Sequence, residues 1–517
     1  MPILDLGEGT ARMAYVLSFD FGTGGVRAGV YSTDRRSILS MADVPYATTY
    51  PHIGWAEQNP ADWLTAMHIA GRDAVARAGI TAIDAICVAT TASTVAVALR
   101  DGAPIRPAIL WMDCRAEAEA RKTETVTHPV MAYAGGGDAV EWLVPKAMWL
   151  ARHQPAIWAQ AEVVCEALDY INHHLTGEWV ASRMNAACKW NYDSLTGAFV
   201  PEIYTELGIS DLADKLPGRV VPVGGVIAPL RADMAAAFGL SSLPIVAQGG
   251  IDAHIGMLAA NTVASGGMLM IGGTSVVHLT QLDGPGDMRG FWGPYPNALA
   301  NGLWLVECGQ VSAGSILNWL SGTIFGLDQA GHSALIAEAM ARPGRAEGLL
   351  TLDYWMGNRT PYRDGALRGA LMGLTLGHGR ADIYASVVDS IALGTLNVLG
   401  VLAERGVPID RVVLAGGICK NALWLQSTID AIGRPVEVAP EDNLSLVGAG
   451  VAAAAALGLY SDLQAAAIAC AAPTQLRHPN PDRTAWYHAA LPLYRQATDA
   501  LTPVLHDLAA RQKAGTA

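Results

Sequence analysis

No cluster of lysine and arginine interrupts these 517 residues, whose formal net charge is −13. Surfaces for nucleic acid or anionic lipid need such clusters to neutralise phosphates, so neither partner is expected. Any anionic ligand must be held locally by backbone N–H groups and a metal ion, which directs attention to Gly-rich turns. No homopolymer run suggests disorder, and 51% hydrophobic with 16% charged residues is the balance of an ordinary globular chain. The seven cysteines are odd in number and contain no C-x-x-C pair. That argues against a disulfide framework or zinc site and for a reducing cytoplasm. Residues 1–12 carry Asp5 and Glu8 but no apolar core, so they do not read as a secretory signal. Residues 1–13 are read as an extension ahead of a start near Met13. The longest charge-free apolar stretch, Leu444 to Tyr460, is rich in Ala and Gly and reads as a buried helix, not a membrane span.

A chain of this length exceeds what one core accommodates, so two domains with a cleft between them are expected. Tyr15-Val-Leu-Ser-Phe-Asp-Phe-Gly-Thr-Gly-Gly reads as an apolar strand ending in a glycine turn, and Val26 to Tyr31 as the returning strand. This is a hairpin and not a strand-to-helix loop, which excludes the Walker and Rossmann readings. Gly267 to His278 repeats the pattern, so the α/β architecture reads as duplicated. Arg411 to Asn421 reads as a buried strand, a Gly416-Gly417 turn and a helix beginning near Asn421. Between these lie helical stretches, Pro60 to Ala78 and Lys146 to Ala159, and short strands, Ala85 to Thr90 and Leu243 to Ala247, the last followed by a Gln-Gly-Gly turn. The boundary is placed near Ala260, with Thr262 to Gly266 as the crossing, giving domains 14–260 and 261–510.

Asp20-x-Gly22-Thr23-x-x-x-Arg27, Gly273-Thr274-Ser275 and Gly416-Gly417-x-x-x-Asn421 together resemble the two phosphate motifs and the adenosine motif of the actin-like ATPase superfold. That resemblance implies two ribonuclease H-like domains. Within the superfold the chain resembles the FGGY carbohydrate kinases over nearly its whole length. Gly369-Ala-Leu-Met-Gly-Leu through Asp382 to Asp389 fits a signature of that family at every position, and Pro145-Lys146-Ala-Met-Trp149-Leu150 fits another more loosely. Thr90-Thr-Ala-Ser-Thr94 matches neither the glycerol kinase nor the xylulokinase pattern. Cys188-Lys189-Trp190, Trp292-Gly-Pro-Tyr295, Glu307-x-Gly309-Gln310 and Gly357-Asn-Arg-Thr-Pro361 are similar to the ribulokinase branch, including its ribitol kinases.

The resemblance implies an ATP- and Mg²⁺-dependent phosphotransferase, with Asp252 as the catalytic base and Asp20 holding the metal. Gly22, Thr23, Gly24, Gly273, Thr274 and Ser275 are implied as phosphate contacts, needing glycine for close backbone approach. Gly314, Gly416, Gly417 and Asn421 are implied to line the adenosine pocket. Ala92, Lys189 and Glu307 join Asp252 at the sugar. The bland alternatives are a helix N-cap for Asp252, an Asx turn for Asp20 and surface ion pairs for Lys189 and Glu307. Trp55, Trp111 and Trp292 offer an apolar wall or simply core, and Asp113 with Arg115 reads as loop support. One departure stands out: two glycines follow Thr23 where many relatives carry a small polar residue.

The expected substrate is a pentulose, ribulose first, phosphorylated at its terminal hydroxyl; a polyol such as ribitol is the same-class rival. An actin-like or chaperone-like ATPase that binds protein partners shares both phosphate hairpins but needs no sugar-side base. Domain closure on sugar binding and a homodimer are also expected.

Overall fold

The computed structural model describes residues 13–342, 347–439 and 443–515, with side chains as far as 512. Apart from Met13, the N-terminal extension read from the sequence lies outside the described residues. The chain divides into two compact units: the first takes residues up to Val263, Pro296–Gly302 and Asn443–Ala472, the second Ala264–Tyr295, Leu303–Asp442 and the chain from Pro473 on.

In the first unit a six-stranded sheet is built from β1 (Tyr15–Phe21), β2 (Gly25–Ser32), β3 (Ser37–Pro45), β4 (Ala85–Thr90), β5 (Val226–Pro229) and β6 (Ile245–Ile251). Their order is β5-β6-β4-β1-β2-β3. β1 pairs antiparallel with β2 and parallel with β4, Asp20 lying opposite Arg27 on one side and Ala89 on the other. All six residues of β4 are buried, as expected of a strand covered on both faces. Helix Pro60–Ala78 packs against β2 and β3. It begins where Asn59 caps the Ala61 N–H at 3.2 Å and ends at Gly79 in the left-handed region, φ 67°.

The second unit repeats the plan in β7 (Gly266–Gly272), β8 (Val276–Leu282), β9 (Trp292–Pro296), β10 (Trp304–Gln310), β11 (Ile409–Gly416), β12 (Val436–Val438) and β13 (Gln475–Arg477). The order is β9-β10-β8-β7-β11-β12-β13. β7 pairs antiparallel with β8 and parallel with β11, the relation β1 has to β2 and β4. Helix Arg380–Glu404 is long and apolar enough to cross a membrane, but 89% of its apolar window is buried inside the chain, so it serves as core.

Three expectations are corrected. The sequence keeps everything after Ala260 in the second domain, whereas Asn443–Ala472 returns to the first unit. The reason is helix Leu444–Ala456, apolar around most of its circumference, which packs on β1, β4, β6 and helix Asp252–Ala259. The two helices approach so closely that a β-carbon on Gly448 would stand 2.2 Å from the Ile255 carbonyl oxygen. The Gln-Gly-Gly segment is not a turn but part of β6, with an irregular register against β4. A β-carbon on Gly249 would lie 1.8 Å from the Val88 oxygen, so glycine is what lets the strands approach there. Lastly, Lys146 to Ala159 is not one helix: Leu143–His153 ends at Gln154 and Pro155 opens Pro155–Gln160.

Candidate active site

In the first unit the turn between β1 and β2 carries Gly22, Thr23 and Gly24. A β-carbon on Gly25 would meet the Val44 oxygen at 2.7 Å, while one on Gly24 meets nothing within 4 Å. Asp20, next to last in β1, is more than nine-tenths buried, and its Oδ1 has no hydrogen-bond partner among the described residues. Burial raises the Asp20 carboxyl above its ordinary pKa, while a hydrogen bond from Ser445 and the charge of Arg27 pull it down. Arg27 stands 3.8 Å from Asp20 Oδ2 and donates to Asn443 at 3.2 Å. A buried carboxylate oxygen without a donor fits a hard cation or its bound water.

Asp252 follows β6 as the first residue of helix Asp252–Ala259 and is half-buried. The cap position itself belongs to Ile251, so the N-cap alternative does not hold. Asp252 Oδ1 accepts the Ala253 N–H at 2.7 Å, and the first turn of a helix stabilises negative charge. β1 and β6 both run parallel to β4, with Phe21 and Ile251 each opposite Thr90, so Asp252 and the turn after β1 leave the sheet at the same end. The Tyr46 phenol is raised above its usual value by burial first and then by the charges of Asp20 and Asp252.

In the same unit Lys189 is only 2% exposed, which removes the surface-pair alternative. Its ammonium lies 4.9 Å from the Trp142 ring centroid. It faces Glu166, a buried carboxylate that accepts from Ser93 at 2.6 Å, Trp190 at 2.8 Å and Asn185 at 2.8 Å. Burial holds the Glu166 carboxyl above its ordinary value against these donors and the Lys189 charge. Ala92 is half-buried beside Ser93. The sequence reading missed Glu166, because no local pattern marks it. Asp113 and Arg115 form a fully buried bidentate pair, with Arg115 also bonded to Glu57 at 2.7 Å and lying 3.9 Å from the Trp55 centroid, so they support the loops as expected. His254 is buried.

In the second unit a pocket of about 230 Å³ is lined by Gly273, Thr274, Gly314, Gly417 and Asn421, all named from the sequence. Ser275 follows in the same turn, and Gly416, at φ 86°, precedes Gly417 with its α-carbon pressed toward the Gly272 oxygen. Asn421 caps helix Ala422–Ile432, its Oδ1 accepting from Trp424 at 3.1 Å and its Nδ2 donating to Tyr384 at 2.9 Å. The Tyr384 hydroxyl is also hydrogen-bonded to His332 Nε2, 2.8 Å away. Sequence reasoning missed the wall made by Gln329, His332, Ser333 and Ile336 of helix Gln329–Ala341; their i, i+3, i+4, i+7 spacing marks one face, but nothing local says what it covers. Glu307 sits on β10 opposite Leu279 and is 6% exposed, so it is no surface residue. Trp292 lies under the Arg359 guanidinium at 4.3 Å, and Thr360 bonds Gly309, seating the 357–361 loop on β10.

Comparison with known proteins agrees with this layout. The N-terminal domain of the FGGY family of carbohydrate kinases matches residues 15–259 and its C-terminal domain residues 268–457. A protein named ribulokinase from Mycolicibacterium smegmatis is 28% identical, with 94% of this chain and 93% of that one covered. An FGGY carbohydrate kinase domain-containing protein from Homo sapiens is 29% identical over 87% and 90%. The solved structure of a xylulose kinase from Rhodospirillum rubrum superposes with a TM-score of 0.83 at 26% identity, covering 95% of this chain and all of that one. A Plasmodium falciparum glycerol kinase with ADP shares the fold at TM-score 0.82 and 17% identity. With both family domains matched across most of its length, this chain belongs to the FGGY family of carbohydrate kinases, sugar phosphotransferases that use ATP.

Proposed function

We propose that the protein phosphorylates the terminal hydroxyl of a pentulose, ribulose first, with Asp252 as general base and Mg²⁺ held at Asp20. The observation that supports the reading is that β1 and β6 both run parallel to β4 with Phe21 and Ile251 each opposite Thr90, so the β1–β2 turn and Asp252 leave the sheet at the same end. Relatives named ribulokinase, 28–29% identical over most of the chain, support the pentulose. The buried Lys189 supports it too, since a desolvated ammonium is a strong partner for a carbonyl or hydroxyl oxygen.

In this mechanism the sugar hydroxyl gives its proton to Asp252 as its oxygen bonds to the γ-phosphorus of ATP. The bond from that phosphorus to the bridging oxygen breaks, and ADP leaves. The Ala253 N–H holds Asp252 Oδ1 in place, and the first turn of the helix favours the negative charge the base carries. Thr23 and Gly24 hold phosphate oxygens, and Gly273, Thr274 and Ser275 do the same in the second unit. Gly314, Gly416, Gly417 and Asn421 are assigned to adenosine. When bound, a magnesium ion at the Asp20 carboxylate neutralises charge on the phosphates. The cysteines, none joined in a disulfide, support a reducing compartment.

ADP release measured with both ribulose enantiomers, xylulose, ribitol and glycerol tests the proposal. Ribulose is expected to give the largest kcat/KM. A larger value for ribitol would replace the pentulose with a polyol, and no release with any of the five would overturn the reading.

A further inference from the structure

The β1–β2 turn is held by four side chains from outside it, Tyr46, Thr48, Gln58 and Trp111, the Thr48 hydroxyl donating to the Thr23 carbonyl oxygen at 3.4 Å. Tyr46 donates its hydroxyl to the Gly22 carbonyl oxygen at 2.5 Å. Gln58 Nε2 donates to the Thr23 carbonyl oxygen at 2.8 Å, and Trp111 Nε1 donates to Thr23 Oγ1 at 3.0 Å. Gln58 is itself fixed, donating to Thr48 at 2.8 Å and accepting from the Trp63 indole at 2.9 Å. Gln58 and Trp63 are buried.

A trans peptide points its C=O and its N–H in opposite directions. Clamping the Gly22 carbonyl therefore aims the Thr23 N–H away from Tyr46, and clamping the Thr23 carbonyl aims the Gly24 N–H away from Gln58. Neither N–H is hydrogen-bonded among the described residues. An indole N–H only donates, so Trp111 occupies a lone pair of Thr23 Oγ1 and leaves the hydroxyl proton available. We propose that Tyr46, Gln58 and Trp111 are positioning residues that convert this glycine turn into three aimed donors for phosphate oxygens: the Thr23 N–H, the Gly24 N–H and the Thr23 hydroxyl. Two adjacent glycines would otherwise leave the turn free to sample many conformations, and ordering it at the moment of binding would weaken nucleotide affinity. The inference rests on reading this turn as a phosphate hairpin.

The test uses Tyr46→Phe, Gln58→Met and the cycle of Thr23→Val with Trp111→Phe, all in the full-length enzyme. Tyr46→Phe and Gln58→Met keep volume, and thermal melting checks that each variant folds. Each is expected to lower kcat/KM for ATP roughly 10–100-fold, less than the roughly 10²–10³ of removing a donor outright because the N–H groups remain and lose only their aim, while the sugar KM and adenosine affinity stay near wild type. Adding Trp111→Phe to Thr23→Val is expected to cost kcat/KM for ATP nothing further, since Trp111 acts there through the Thr23 hydroxyl. Lower melting temperatures with unchanged kcat/KM for ATP, or fully multiplicative losses in the cycle, would overturn the clamp. If Thr23→Val alone leaves kcat/KM for ATP intact, the hairpin assignment fails instead.

Discussion

Gly314 donates its N–H to the carbonyl oxygen of Gly273 at 3.0 Å, and a β-carbon on Gly314 would stand 2.4 Å from that same oxygen. The glycine is thus required by the Gly273-Thr274-Ser275 turn, which also receives the N–H groups of Ala313 and Ser315 at Thr274. Gly314→Ala must push the turn aside, at a cost of about 1–3 kcal/mol. Isothermal titration with ADP should show weakened binding. Gly273→Ala, whose β-carbon meets nothing nearer than the Ser275 oxygen at 4.0 Å, should melt like the wild type.

Asp252→Asn keeps the size of the side chain but not its basicity. Nucleotide affinity is expected to be unchanged and kcat to fall by roughly two to four powers of ten, the range for lost general-base help. Steady-state rates beside calorimetric ATP affinities check both halves; a kcat within a factor of a few of wild type would remove Asp252 as the base.

Lys146 is fully buried and donates to the Ser93 carbonyl at 2.7 Å and the Leu110 carbonyl at 2.6 Å. Burial lowers its pKa from 10.5 to about 8, against the charges of Asp113, Glu141 and Glu166. Between about pH 8 and pH 10.5 the unfolded chain holds a proton on this amine that the folded one does not, so stability from this group rises with pH across that window. Denaturant melts at pH 7.5 and pH 10 should show the advantage of wild type over Lys146→Met growing by on the order of 2–3 kcal/mol. A constant difference would mean that the amine is not shifted.

Gly24 and Gly25 are predicted to separate cleanly. Gly24→Ser adds a side chain into open space and should leave stability within about 0.5 kcal/mol. The substitution keeps the backbone N–H at this position, so ATP affinity should hold. Gly25→Ala drives a methyl against the Val44 oxygen, 2.7 Å away, and should lower the melting temperature.

Asp389, the last residue of the family signature, is buried and accepts two bonds of 3.0 Å from Arg483, besides the Tyr487 hydroxyl. Replacing it by Ala leaves that network without its acceptor and should cost about 3 kcal/mol in chemical denaturation. The KM values of the surviving folded enzyme should not move.

The two hairpins, helix Pro60–Ala78 and the strand entering Gly416-Gly417 were legible because each is specified locally: apolar runs, glycine turns, an Asn-Pro start and a Gly stop. Lys189 and Glu307 were found as candidates, but their burial was not, since exposure depends on what packs over a residue. Glu166 and Tyr46 carried no readable signal, and the periodic face of helix Gln329–Ala341 did not say what it covers. Each acquires its partners from segments dozens of residues away.

Strand order within each hairpin, the glycines at the turns and the family to which the chain belongs follow from residue types at short spacing, where backbone sterics and hydrophobic periodicity act on neighbours alone. The return of Asn443–Ala472 to the first unit, and the meeting of Tyr46, Gln58 and Trp111 on one turn, follow only from tertiary packing. Burial of an all-apolar helix and satisfaction of buried donors are settled by whichever distant surface complements them, and no local pattern encodes that choice.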